Sequence, residues 1–142
     1  MNWENMRSRE KDVWLAENLF HWNRANEFWY DSEGVEVTRL VSPDGIDVTA
    51  YGHSDECDYD QFGDELPHYT TEISAAWQVV DAMRAKGWDL WLKSVRFNNE
   101  SEWRILFYGG PTYDPDNDET WSKDLTDGLC KAAYMTLPEG ER

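Results

Sequence analysis

Residues 67–88, PHYTTEISAAWQVVDAMRAKGW, decide the fold because they define one amphipathic helix together with both of its ends. Apolar side chains recur here at spacings of three and four, which places them on one face of a helix. These side chains are Ile73, Ala76, Trp77, Val80 and Met83. Thr70 or Thr71 is predicted to cap the start, and Gly87 is predicted to end the helix in a left-handed conformation.

Segments with helical and alternating periods lie on both sides of this helix. Residues 8–22 and residues 122–137 have helical spacing, and Pro138 ends the second of them. Two segments of period two, over residues 27–51 and 88–108, contain turn residues at their centres and are predicted to be hairpins. The three valines between residues 35 and 41 share one face of the first hairpin, so that face is predicted to be apolar.

The second hairpin changes its parity near Ser94. Leu90 and Leu92 fall on one face, whereas Val95 and Phe97 continue the alternation on the other. This change indicates either a β-bulge or a strand that is buried on both faces. The pattern does not choose between these two structures.

The order of elements is helix, two or three strands, helix, two strands and helix. An antiparallel or mixed sheet of about four to five strands with three helices buries all of the apolar faces, so residues 1–142 are predicted to form a single-domain layered sandwich of the α+β class. Together with DVWLAENLFHW near the start and LTDGLCKAAYMTL near the end, this order resembles the phage ABA sandwich domain family of small bacteriophage proteins. The resemblance implies a layered α and β sandwich and a phage origin, but that family has no general biochemical assignment.

Composition limits the classes of partner. The chain has 29 acidic and 13 basic residues, a net charge of -16, nine tryptophans and 15 % aromatic residues. The aromatic content favours a packed domain over disorder, and the negative field disfavours direct binding to nucleic acid. Two cysteines, no leader sequence and no long apolar run favour a reducing cytoplasm and no membrane attachment.

The start of the central helix is the predicted ligand site. Tyr69, Thr70 and Thr71 directly precede a helix whose free N–H groups and positive dipole can hold an anion. Arg96 or Arg104 from the sheet is predicted to add positive charge to this site. The alternative is a simple helix cap beside a loop.

Two acidic stretches, residues 52–66 and residues 112–120, are predicted to be surface loops. Four acidic residues of the first are candidate contacts for a basic partner, namely Asp55, Glu56, Asp58 and Asp60. Neither stretch has the ligand spacing of a zinc or calcium site, so no metal and no other cofactor is predicted. Cys130 is predicted to be a buried thiol, and the chain has no catalytic motif, so no enzymatic activity is predicted.

Two functions remain open. The first is a non-enzymatic phage accessory protein that binds or sequesters a host small molecule, such as a nucleotide immune signal, and the surplus of aromatic residues favours it. The second is an acidic protein or nucleic-acid mimic that blocks a basic host protein surface, and the net charge favours it. A small hydrolase or transferase ranks last because no motif supports it. A homodimer is a further use for exposed aromatic side chains.

Overall fold

The structure, a computed structural model, describes residues 2–29, 35–52, 58–111 and 119–137. Within these residues lie α1 (Ser8–Asn18), α2 (Ile73–Ala85), α3 (Leu125–Thr136), β1 (Asn23–Trp29), β2 (Val35–Val41), β3 (Asp47–Tyr51), β4 (Asp89–Phe97), β5 (Glu100–Tyr108), β6 (Thr120–Ser122) and short 3-10 helices at Trp3–Asn5 and Tyr59–Phe62. The predicted α+β class with three helices is confirmed. None of the described helices is long and apolar enough to cross a membrane.

The strands form two antiparallel sheets of three, so the prediction of one sheet with four to five strands is wrong. The N-terminal sheet has the order β1-β2-β3, and the C-terminal sheet has the order β4-β5-β6. Each contains one predicted hairpin, β2 with β3 and β4 with β5, and gains a third strand at one edge. No pattern in the sequence predicts β6, because a strand of three residues is too short to show alternation.

The core-facing side of β2 is the opposite of the predicted one. Thr38 and Leu40 are fully buried and share a face with Val48, the partner of Leu40 on β3. Val37 is buried on the other side and does not belong to the main core cluster, whereas Val41 is half-buried. The side chain of the third valine lies outside the part of the chain that the structure describes.

The helix α2 has the predicted place in the chain, but its buried face is rotated. Ile73 and Trp77, which were predicted to face the core, are 45 % and 43 % exposed. The buried side chains are Ala75, Ala76, Val79, Val80 and Met83. Small side chains on this face allow α2 to pack closely on α3, its main helical neighbour. Gly87 takes a φ of 100° after the helix, as predicted.

The other two helices are shorter than predicted. α1 ends at Asn18 because the backbone reverses at His21, which has a φ of 62°, and β1 begins directly afterwards. α3 begins at Leu125 because Ser122 belongs to β6. The Asp124 carboxylate caps α3 by accepting two backbone N–H bonds from its first turn.

The helices α2 and α3 cover one face of the C-terminal sheet. Ile105 and Phe107 of β5 are fully buried there. α3 approaches so closely that a Cβ on Gly128 would lie 2.7 Å from Ile105 Cδ1. One core cluster joins side chains from all three helices and both sheets. Since side chains alternate along a strand, the other face of the C-terminal sheet carries the residues between these buried ones.

Candidate functional site

The outer face of the C-terminal sheet, turned away from α2 and α3, collects aromatic and charged side chains from all three strands. The strand register pairs Phe97 with Glu100, Val95 with Glu102, Trp91 with Leu106, and Arg104 with both Lys93 and Trp121. Directly opposite residues of antiparallel strands point to the same side, so these side chains share one face. Sequence separation alone would not place residues 91–97 beside residue 121.

A groove with a volume of about 270 Å³ lies in this outer face. We call it the aromatic groove, and its lining residues are Val95, Phe97, Glu100, Glu102 and Trp121. Phe97 of β4 is 74 % exposed and Trp121 of β6 is 50 % exposed. Phe97 and Trp121 stand on the two strands that flank β5, which lie roughly 10 Å apart across the sheet. They are also offset along the sheet, because Phe97 lies opposite Glu100 whereas Trp121 lies opposite Arg104, four residues further along β5. The two carboxylates of β5 lie between them.

Arg104 fixes one wall of the aromatic groove. The centre of its guanidinium lies 4.8 Å from the ring centre of Trp121 and 5.5 Å from that of Trp91. Its Nε donates a hydrogen bond of 2.7 Å to Glu119 Oε2, and its Nη2 contacts the same oxygen. A cation between two indole rings with a carboxylate partner is a stable arrangement, so Trp121 is held in place before any ligand arrives.

The parity change of β4 is explained by this groove. The register runs without interruption from Asp89 opposite Tyr108 to Phe97 opposite Glu100, so β4 has no bulge. Leu90 and Leu92 pack on the core, whereas Val95 and Phe97 line the groove on the opposite face. A contiguous group of apolar side chains that remains exposed on a sheet can mark a binding surface, and the parity change of β4 was the sequence signal for this one.

Two of the predicted ligand residues before α2, Tyr69 and Thr70, lie in the interior of the protein. Tyr69 and Thr70 are each only 2 % exposed, and the Tyr69 ring stacks on Phe20 with 4.7 Å between ring centres. The N–H and the hydroxyl of Thr70 both donate to Asp12 Oδ1, at 3.0 and 2.8 Å. The helix is preceded by Glu72 in an extended conformation without a side-chain cap, so the prediction that Thr70 or Thr71 caps α2 is wrong.

The negatively charged group that contacts Thr70 is the carboxylate of Asp12, which belongs to α1. Its carboxylate is fully buried and its Oδ2 accepts a hydrogen bond of 2.8 Å from Arg9 Nη1. The other bonds of the guanidinium go to the backbone carbonyls of Gly63, Leu66 and Pro67. This ion pair therefore ties α1 to the loop before α2. Thr71 is exposed beside this turn. Binding of a ligand by Tyr69, Thr70 and Thr71 stays a prediction, and contact with the first two would require the turn to open.

The two arginines that were predicted to join the ligand site lie at different positions on the C-terminal sheet. Arg104 is on the outer face of the C-terminal sheet, opposite to the face that α2 covers, so it does not join the start of α2. Arg96 is exposed near the β4–β5 turn and makes no ion pair with the residues that the structure describes. A contribution of Arg96 to a ligand site stays a prediction.

The first acidic stretch is only partly a surface loop. Asp58 and Asp60 are exposed, and the Asp58 carboxylate caps the short helix Tyr59–Phe62. Phe62 and Leu66 are buried in the core, which corrects the prediction of a wholly exposed loop. The predicted contacts Asp55 and Glu56 lie outside the described residues, as does most of the second acidic stretch. Among the described residues, no group of three metal-ligating side chains is assembled.

Cys130 is buried, as predicted. Its thiol lies in the core and donates to the backbone carbonyl of Tyr69 at 3.2 Å. Burial, followed by the charge of Asp12, raises the pKa of the Cys130 thiol well above its ordinary value. The same two causes raise the pKa of the Tyr69 hydroxyl. Both groups therefore stay protonated at neutral pH, which does not suit a nucleophile.

These raised pKa values predict that the protein loses stability in alkaline solution. The unfolded chain releases the thiol and phenol protons near pH 9.0 and 10.0, whereas the folded chain retains them. Each group therefore lowers the free energy of unfolding by up to about 1.4 kcal/mol per pH unit above its ordinary pKa, and by nothing below it. Urea titrations between about pH 8 and pH 11 measure this slope. Tyr69→Phe should flatten it above pH 10, and an identical slope in that variant would contradict the assignment.

Comparison with known proteins identifies the family of this chain. No curated protein and no solved structure matched the chain. The family model described as the phage ABA sandwich domain matches residues 13–134, a range that includes about half of α1, both sheets, α2 and most of α3. The α and β architecture described above agrees with that description. The chain therefore belongs to the phage ABA sandwich domain family.

Proposed function

We propose that the protein is a phage accessory protein without enzymatic activity that acts in phage–host interaction by binding a host component in the aromatic groove. The exposure of Phe97 and Trp121 on opposite sides of a groove carries this proposal. Leaving two large rings in water is unfavourable, and a partner that covers them gains about 25 cal/mol for each Å² of apolar surface removed from water.

The charge of the groove favours a basic host protein as the partner. Glu100 and Glu102 line the groove, and the whole chain carries a net charge of -16. Such a field speeds the approach of basic surfaces and repels nucleic acid. The exposed Asp58 and Asp60, with Asp55 and Glu56 beside them in the chain, are proposed as further contacts for the same partner.

A host small molecule, such as a nucleotide immune signal, is the second candidate. The groove volume is near the lower end of the range for ligand pockets, about 300 Å³. A planar base stacked on Trp121 or Phe97 would gain about 1–3 kcal/mol. Its phosphates would meet Glu100 and Glu102, so this candidate requires a ligand that directs its negative charge away from the floor of the groove.

We also propose the host cytoplasm as the site of action, and a homodimer as an alternative way to cover the aromatic face. A two-fold dimer would place the same face of two copies together. The subunit number separates this proposal from binding of a host component by a monomer.

Trp121→Ala is the variant that tests the proposed function. Native mass spectra are recorded after incubation with a panel of nucleotides, cyclic nucleotides and short basic peptides, and the same spectra report the subunit number. The wild-type protein is expected to retain at least one panel member, whereas the variant loses at least nine-tenths of the bound fraction because its groove lacks one aromatic wall. Trp77→Ala removes a tryptophan of similar exposure from α2, and this variant should bind as the wild type does.

Two results would contradict the proposed function. One is a wild-type protein that retains no member of the panel and stays monomeric. The other is equal loss of binding in Trp121→Ala and Trp77→Ala, which would assign the effect to tryptophan content and not to the groove.

A further inference from the structure

We propose that the aromatic groove binds an arginine side chain of a basic host protein segment, which lies along the groove from Phe97 toward Trp121 with its guanidinium against the carboxylates of Glu100 and Glu102. This inference rests on the proposed function and names the chemical group that the groove selects. It follows from the aromatic walls, the charge between them and the arrangement that the chain itself forms next to the groove.

The neighbouring Arg104 shows that this face accommodates a guanidinium. Arg104 lies between the rings of Trp91 and Trp121 and pairs with the carboxylate of Glu119. The aromatic groove presents the same types of group further along the same face of the sheet, with Phe97 and Trp121 as the rings. The Trp121 ring therefore belongs to both arrangements, one filled by the chain and one open to a partner.

The groove chemistry favours a cation over an anion or a neutral group. A ring attracts a positive charge to its face, and a carboxylate adds a charge-assisted hydrogen bond. Glu100 and Glu102 have the same parity along β5 as Arg104, opposite to that of the buried Ile105 and Phe107, so both carboxylates reach the outer face. A guanidinium fits better than an ammonium, because it is planar, weakly hydrated and able to donate two parallel hydrogen bonds while it stacks on a ring.

The ion pair between Lys123 and the groove residue Glu100 is weak. Lys123 Nζ lies 3.5 Å from Glu100 Oε2, and both side chains are 68 % exposed. Exposed ion pairs of this kind contribute little, so an incoming guanidinium can replace Lys123 at small cost. Glu102 is half-buried and makes no ion pair with the described residues, which leaves its carboxylate available to a partner.

Isothermal titration calorimetry with an acetylated tetra-arginine peptide tests this inference on the full-length protein. The matched peptides are tetra-lysine, which keeps the charge, and tetra-citrulline, which keeps the shape of the side chain and removes the charge. The arginine peptide is expected to bind at least about fivefold more tightly than the lysine peptide, and the citrulline peptide at least about tenfold more weakly than the arginine peptide.

Protein variants locate the binding site. Phe97→Ala and Trp121→Ala are each expected to weaken arginine-peptide binding about tenfold, and Glu102→Gln about three- to tenfold. Phe97→Ala is the most specific test of the groove, because this substitution leaves the contacts of Arg104 intact. The controls are Trp77→Ala and Asp81→Asn on the exposed side of α2, which match the ring loss and the charge loss and should change the affinity less than twofold.

The outcomes separate this inference from the proposed function. Equal affinity for the arginine and lysine peptides, or equal weakening in Glu102→Gln and Asp81→Asn, would show attraction to overall negative charge and would overturn the arginine site. Retention of a nucleotide in a Trp121-dependent manner, with no binding of the arginine peptide, would overturn the arginine site and keep the proposed function. Failure of every ligand and a monomeric subunit number would overturn both.

Discussion

Asp12→Asn is expected to lower the free energy of unfolding by about 3–5 kcal/mol, because it leaves the buried guanidinium of Arg9 without its counter-charge. Asp12 accepts hydrogen bonds from Arg9 Nη1 and from both donors of Thr70. An asparagine amide offers one oxygen to these three donors and turns N–H groups toward the rest. Arg9 also holds the carbonyls of Gly63 and Leu66, so the loop before α2 should loosen with it.

Urea unfolding followed by far-ultraviolet circular dichroism measures this loss. Asp81→Asn on the exposed side of α2 is the matched control, and surface changes of that kind stay within about 0.5 kcal/mol of the wild type. A loss of less than 1 kcal/mol in Asp12→Asn would show that the ion pair is not a structural link between α1 and the loop.

Gly110→Ala is expected to destabilise the protein by about 3 kcal/mol through overpacking. A Cβ at this position would lie 2.2 to 2.4 Å from three ring atoms of Trp88, which is 6 % exposed. Real Cβ atoms do not approach a ring so closely, so the buried indole or the chain after β5 must shift. For a chain of this length, we expect the melting temperature to fall by roughly 6–12 °C.

A double-mutant cycle with Trp88→Phe checks the cause. The smaller ring leaves room for the new methyl group, so adding Gly110→Ala to Trp88→Phe should cost at least 1 kcal/mol less than adding it to the wild type. Gly45→Ala is the second control, because nothing lies within 4 Å of its added Cβ and only its φ of 92° opposes alanine. Additive losses in the cycle would contradict the clash with Trp88.

The elements of this fold could be predicted from the sequence more readily than their faces. Both central hairpins and α2 follow from period and turn residues. On α2, hydrophobicity selected Ile73 and Trp77, whereas the structure buries Ala75 and Val79 beside Ala76 and Val80. The helical spacing of three and four residues fits either set of side chains, because the two sets overlap on the helix surface. Close packing between α2 and α3 selects the stripe with small side chains.

The partition into two sheets depends on contacts that no local pattern contains. β4 pairs with β5, and β5 with a three-residue β6, while the N-terminal sheet adds β1 to the other hairpin. An alternating pattern shows that a segment can form a strand. It does not show beside which other strand that segment will pair. The prediction of one larger sheet placed both hairpins in the same layer for that reason.

The candidate site was missed because its parts become neighbours only after β6 has paired. Trp121 lies beside Arg104 through the β5–β6 register, and Phe97 beside Glu100 through the β4–β5 register. The helix-start site was inferred instead, since a helix N-terminus is visible in the sequence. The structure places the carboxylate of Asp12, which is 58 residues away along the chain, against Thr70 of that predicted site.

The most direct test of the aromatic groove is a proton–nitrogen correlation spectrum of the full-length protein during titration with the tetra-arginine peptide, in which each tryptophan indole N–H gives its own signal. We expect the Trp121 signal to move with saturation, with a smaller change at Trp91 through Arg104 and none at Trp77. Saturable changes confined to Trp77, or no indole change while calorimetry reports binding, would place the partner elsewhere and contradict the account.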